Sequence, residues 1–111
     1  MYEYKAWVVS IYDADTIRFD IDLGFNQRMM NQSIRLSGIN AWEVRGEQRM
    51  LGITARDAVR ELLPKGSPVL LRTFKDKKGK YGRWIGTIIL PDGTNLNEWL
   101  VEAGHAIEVE Y

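Results

Sequence analysis

Three short stretches carry side chains able to do chemistry. Asp13-Ala14-Asp15-Thr16 sets two carboxylates two residues apart beside a hydroxyl. Hard cations such as Ca2+ take several oxygen ligands, and a turn can present carboxylates together. The plainer reading is a polar hairpin turn in which an Asp bonds its own backbone. Arg35-Leu36-Ser37-Gly38-Ile39-Asn40-Ala41-Trp42-Glu43 places a guanidinium and a carboxylate eight residues apart. Arg35 stands between Ile34 and Leu36, and a guanidinium among apolar neighbours requires an anion. That anion is either an internal partner such as Glu43 or a phosphate brought by a ligand. Tyr81-Gly82-Arg83 offers an aromatic face, a position that allows close approach, and a planar fork matched to phosphate. The lysines from Lys75 to Lys80 read as a solvated loop.

The elements that must position these residues follow from periodicity. Lys5 to Tyr12 is rich in β-formers and reads as a strand. Thr16 to Asp22 alternates Ile17, Phe19 and Ile21 with Arg18, Asp20 and Asp22, a period of two. Asp13-Ala14 is the tight turn between them. Leu23 to Asn31 reads as a long hairpin connection, and Gln32 to Ile39 as a third strand. Leu51, Ala55, Ala58, Val59, Leu62 and Leu63 fall on one helical face, stopped by Pro64 and Gly66. Pro68 to Thr73 and Trp84 to Leu90 are a fourth and a fifth strand. Asn95 with Glu98 resembles a capping box for a second helix carrying Leu96, Trp99, Leu100 and Ala103, ended by Gly104. A short strand over Ala106 to Val109 closes the chain. Five strands with a helix between the third and fourth is the order of an OB-type barrel.

The 111 residues are one domain's worth, read as a single domain over 1–111, with no repeat, linker or low-complexity stretch. There are no cysteines, which excludes disulfides and thiolate metal sites. The apolar runs are too short to cross a membrane as a helix, and no secretory leader is evident, so the expected location is intracellular: cytoplasmic, or the product of a phage. Fifteen Lys and Arg balance fifteen Asp and Glu. The charge is nonetheless segregated: Arg72 to Arg83 carries six cations and one anion, and Asp92 to Tyr111 carries five acids with no Lys or Arg. A basic patch on a neutral protein suits a localised anionic ligand.

Taken in order, D-A-D-T at 13–16, R-L-S-G-I-N-A-W-E at 35–43, K-Y-G-R at 80–83 and L-N-E-W-L-V-E-A-G-H-A at 96–106 resemble the staphylococcal nuclease (thermonuclease) family. The resemblance runs from about Trp7 to the C-terminus. It implies an OB-fold nuclease that cleaves phosphodiesters of DNA or RNA with Ca2+ (Mg2+ or Mn2+ being the alternatives) and leaves a 3′-phosphate. Carried over by position, Asp15 is a metal ligand, and Asp13 lies close by, holding metal-bound water. Thr16 supports the site. Arg35 and Arg83 grip the phosphate and offset charge in the transition state. Glu43 positions or deprotonates the attacking water, and Tyr81 lies beside the bound nucleotide.

The departures from the family pattern are informative. Asn40 stands where the family has its second carboxylate ligand, so metal binding is expected to be weaker; an amide oxygen ligates but brings no charge. Glu47 reads either as a compensating carboxylate or, more plainly, as a surface residue paired with Arg45 or Arg49. Trp42 replaces a proline and reads as a base-stacking platform, a core cap or an oligomer contact. Ala14 replaces a glycine, so its turn should not need a positive φ. Phe25, Met29 and Met30 lie in the longer connection, packed on the barrel or in a dimer contact. The family's C-terminal helix is absent from the sequence, and the uncovered face allows a homo-oligomer. His105 reads as a structural residue, as do Asn97 and Glu98; Trp7, Trp84 and Trp99 read as core. The expected function is a metal-dependent nuclease preferring single-stranded regions. The alternative is a catalytically weakened or inactive nuclease-like module that binds nucleic acid or protein.

Overall fold

The computed structural model describes residues 2–78 and 84–109. Among the described residues seven strands form: β1 (Tyr2–Asp13), β2 (Thr16–Gly24), β3 (Gln27–Leu36), β4 (Ile39–Ala41), β5 (Pro68–Lys78), β6 (Trp84–Ile89) and β7 (Ala106–Glu108). Two α-helices join them, α1 (Arg49–Leu62) and α2 (Leu96–Glu102), and a turn of 3-10 helix at Gly46–Gln48 leads into α1. Along β2 the period of two is obeyed: Ile17, Phe19 and Ile21 are buried while Arg18 faces out.

The long β1 serves two neighbours. Its first half pairs antiparallel with β5, from Tyr2–Thr73 to Trp7–Pro68, and its second half with β2, from Ala6–Ile21 to Asp13–Thr16. β3 and β6 then meet in parallel through Ile34–Trp84, Arg35–Ile85 and Leu36–Gly86. The order β1-β2-β3-β6-β5 closes on itself, giving the five-stranded OB-type barrel with its two helices. Phe19, Ile34, Leu36, Leu71 and Ile88 fill the interior. Closure leaves no barrel edge to be covered.

Four sequence expectations are corrected. First, Leu23 to Asn31 is not a long connection. β2 and β3 run on into it and turn tightly at Phe25 and Asn26, whose φ values of 54° and 61° are those of a type I′ hairpin. Phe25 at a left-handed position, where Gly or Asn is usual, hid it. Second, the expected third strand breaks after Leu36. Ile39–Ala41 leaves the barrel and pairs with β7, Asn40 opposite Ile107, in a separate two-stranded sheet. Third, the helical face of α1 is shifted. Leu51 and Leu62 are exposed, and the buried stripe is Gly52, Ala55 and Val59, continued by Leu63. The stripe includes a glycine, which carries no apolar side chain and so left no hydrophobic signal. Fourth, Trp7 is not core: it is half-buried, with the Arg28 guanidinium 4.2 Å from its ring centroid. Trp84 and Trp99 pack against the core from its margin.

The α2 cap is as expected, with the Asn95 side chain accepting from Glu98 N–H at 3.1 Å. Asn97, buried on that helix, accepts from Ile88 N–H at 3.2 Å and donates to the Ser37 and Gly86 carbonyls at 2.9 and 3.2 Å. It thereby ties α2 to β6 and to the end of β3. His105 follows the helix stop, its ring 5.6 Å from Trp99. No helix among the described residues is long and apolar enough to cross a membrane.

Candidate functional site

The two-residue turn between β1 and β2 is built by its own first carboxylate, since Asp13 Oδ1 accepts from Asp15 N–H at 3.2 Å. Ala14 is fully buried there without a positive φ. The turn is docked on the end of β3, where Leu36 N–H donates to the Asp15 carbonyl at 2.8 Å. Asp15 itself is buried. Its Oδ1 accepts from the Thr16 hydroxyl at 3.2 Å, and its Oδ2 accepts from Ala41 N–H at 2.8 Å. The same Oδ2 is 3.2 Å from Nη2 of Arg35.

Arg35 is therefore the hub. Register places it opposite Thr16 on β2 and Ile85 on β6. Its Nη1 donates to the Leu36 carbonyl at 3.0 Å, and its Nη2 donates to Asn40 Oδ1 in a short hydrogen bond as well as meeting Asp15. The internal anion that the sequence demanded is thus Asp15 and not Glu43. The pair is not sealed off, because Arg35 retains a 14% exposed side chain and its partner Asn40 is exposed. Three elements widely separated in sequence converge here: the β1–β2 turn, the end of β3, and β4.

Asp13 completes the acidic side. Burial, reinforced by the neighbouring Asp15, pushes its carboxyl up from 3.8 to about 7, partly countered by backbone hydrogen bonding and by Arg35. Among the described residues the two neighbouring carboxyls, Asp13 and Asp15, share one nearby guanidinium, that of Arg35. The donors here are all hard oxygens: Asp13, Asp15 and the Asn40 amide. That set suits a divalent cation such as Ca2+. Among the described residues no third acid or histidine joins them in a metal-binding group, so the set carries less charge than three carboxylates would.

Glu43 lies two residues beyond the Asp15–Ala41 contact and is exposed. Its N–H donates to the Gln48 side chain at 3.0 Å. Trp42 between them is half-buried, its indole N–H donating to the Gly104 carbonyl at 2.8 Å and its backbone N–H to His105 at 3.3 Å. That bond ties the Glu43 loop to the end of α2. Glu47 is exposed. Tyr81 and Arg83 lie outside the described residues. Sequence reasoning missed Gly52 and Gln48, which hold the backbone of Glu43 against α1. The available signal was a glycine inside a helical pattern, which costs stability unless something packs on it.

The family model described as staphylococcal nuclease homologue matches residues 33–111. A protein of Escherichia coli O157:H7 named uncharacterized endonuclease is 32% identical over 99 residues, covering 89% of this chain and 57% of its own length. Endonuclease YhcR of Bacillus subtilis (strain 168) is 27% identical over 112 residues, covering 94% of this chain and 9% of its own. Succinoglycan biosynthesis protein ExoI of Rhizobium meliloti (strain 1021) is 27% identical over 106 residues, covering 89% of this chain and 49% of its own. The chain thus spans between 9% and 57% of the lengths of these relatives. A match over residues 33–111, on a closed barrel that brings Asp15, Arg35 and Asn40 together, makes this chain a member of the staphylococcal nuclease homologue family.

Proposed function

We propose that the protein is a metal-dependent nuclease that hydrolyses phosphodiester bonds of DNA or RNA, with Ca2+ as the cation (Mg2+ or Mn2+ as substitutes) and single-stranded regions preferred. The observation that carries this reading is the convergence of Asp15, Arg35 and Asn40 at a solvent-reached rim. The endonuclease names of two relatives support it. Asp15, Asp13 and the Asn40 amide would hold the cation, which supplies positive charge beside the scissile phosphate. Arg35 turns its fork to the phosphate oxygens. Its Nη1 stays on the Leu36 carbonyl, and its Nη2 leaves Asn40 and Asp15 to reach the phosphate. Thr16 holds Asp15 in its rotamer. Glu43 orients the attacking water and takes its proton. Arg83 adds a second guanidinium, and Tyr81 and Trp42 flank the nucleotide. The roles of Glu43, Arg83 and Tyr81 rest on the family resemblance. Trp42 would have to serve with its N–H already engaged by Gly104, using the ring face alone.

A second reading is favoured by one residue. Asn40 supplies an amide where a carboxylate would add charge, as expected of a nuclease-like module that binds without cutting. Incubation with fluorescent single-stranded DNA, with Ca2+ or with chelator, alongside Arg35→Ala, separates the two. Chelator-sensitive cleavage lost in the variant supports the enzyme. Binding without cleavage supports the module.

A further inference from the structure

Gly52 is an unexpected residue for its place. It sits in the first turns of α1, where glycine is a poorer helix former than alanine, and it is buried. A Cβ built there would stand 1.9 Å from the Glu43 carbonyl oxygen, 2.2 Å from its carbonyl carbon and 2.6 Å from Val44 N. These are backbone atoms, which cannot swing aside as the end of a long side chain can. Gln48, just before α1, holds the same residue by accepting from Glu43 N–H at 3.0 Å. The segment carrying Glu43 follows the end of β4 and lies in no strand, so no sheet ladder fixes it. Its position is set by helix α1 on one side and, through the Trp42 bonds to Gly104 and His105, by the end of α2 on the other.

We propose that Gly52 and Gln48 are positioning residues for the reaction. By seating the Glu43 backbone directly on α1, they fix the point from which its carboxylate reaches the attacking water. The inference rests on the hydrolytic reading above and extends it to residues that never touch substrate. A carboxylate base must lie within hydrogen-bond reach of the water it activates, and a shift of about 1 Å can cost about 100-fold in rate. Any side chain at 52 must push the Glu43 peptide away from the helix, because the space it needs is already filled by that peptide.

The test is single-turnover cleavage of labelled single-stranded DNA in saturating Ca2+ by the wild-type chain, Gly52→Ala, Glu43→Gln and the double variant. Gly52→Ala is expected to lower kcat by roughly 10- to 100-fold with KM little changed. The double variant is expected to be no slower than Glu43→Gln alone, since Gly52 acts through Glu43. Gln48→Ala removes the hydrogen bond without inserting an atom, and gives a smaller loss that likewise disappears in the Glu43→Gln background. Losses that multiply in the double variants, or wild-type kcat in Gly52→Ala, overturn the inference. Should Gly52→Ala not unfold cooperatively, Gln48→Ala decides, and wild-type kcat in that variant overturns it. Absence of cleavage by the wild-type chain overturns the proposed function and this inference together, whereas cleavage with multiplicative losses overturns this inference alone.

Discussion

Asn40 and Asp13 set the electrostatics of the site, and each yields a prediction. Asn40 is exposed and offers Oδ1 to Arg35, so Asn40→Asp changes charge with little change of shape. Cation affinity follows the number of charged ligands. Ca2+ affinity measured by calorimetry is therefore expected to rise on the order of tenfold in Asn40→Asp; unchanged or weaker binding shows that this residue is not a ligand. Asp13 gives a pH dependence. Its carboxyl is raised from 3.8 to about 7, chiefly by burial and then by Asp15. Below 3.8 it is protonated in both the folded and unfolded chain, and between 3.8 and about 7 only the folded chain keeps the proton. Its contribution to stability is therefore lost as pH rises through that window. Without added cation, the melting temperature should decline over this range relative to Asp13→Asn, which removes the ionisation. Parallel profiles for the two proteins would show that Asp13 ionises freely.

At the scale of elements, the strands were legible where residues alternate and obscure where turns use unusual chemistry. Ile17, Phe19 and Ile21 announced β2, because every second position of a half-buried strand must be apolar. The β2–β3 turn was hidden because Phe25 occupies a left-handed position that Gly or Asn usually fills. Phe25 is 99% exposed, so it gains nothing from packing that would offset this. Phe25→Asn is expected to stabilise the protein by about 0.5–1 kcal/mol in urea denaturation with cleavage unaltered. A destabilised variant would mean that the Phe25 ring is covered in solution. Helix α1 was legible as a helix but not in its orientation. Its inward stripe runs through Gly52 because a neighbouring backbone, and not a side chain, fills that position.

Across the whole molecule, the site exists only because the barrel closes. Asp15 and Arg35 could be nominated from their motifs and Asn40 from the family resemblance, but their contacts depend on long-range register, which one sequence does not reveal. The parallel junction of β3 and β6 is braced by Asn97, whose amide reaches Ile88, Ser37 and Gly86. Asn97→Ala would leave buried backbone groups without partners and is expected to cost about 3 kcal/mol, read from chemical denaturation. A loss near zero would mean that the junction holds without it.

The central claim is that Arg35, held beside Asp15 and Asn40, acts on a phosphodiester through its planar fork. Single-turnover cleavage of single-stranded DNA in saturating Ca2+ by the wild-type chain and Arg35→Lys tests this most directly. Lysine keeps the charge but cannot reproduce the bidentate geometry. The account predicts chelator-sensitive cleavage by the wild type and a rate roughly 100-fold lower or more in the variant. Rates within a few-fold of each other, or no chelator-sensitive cleavage by the wild type, would contradict it.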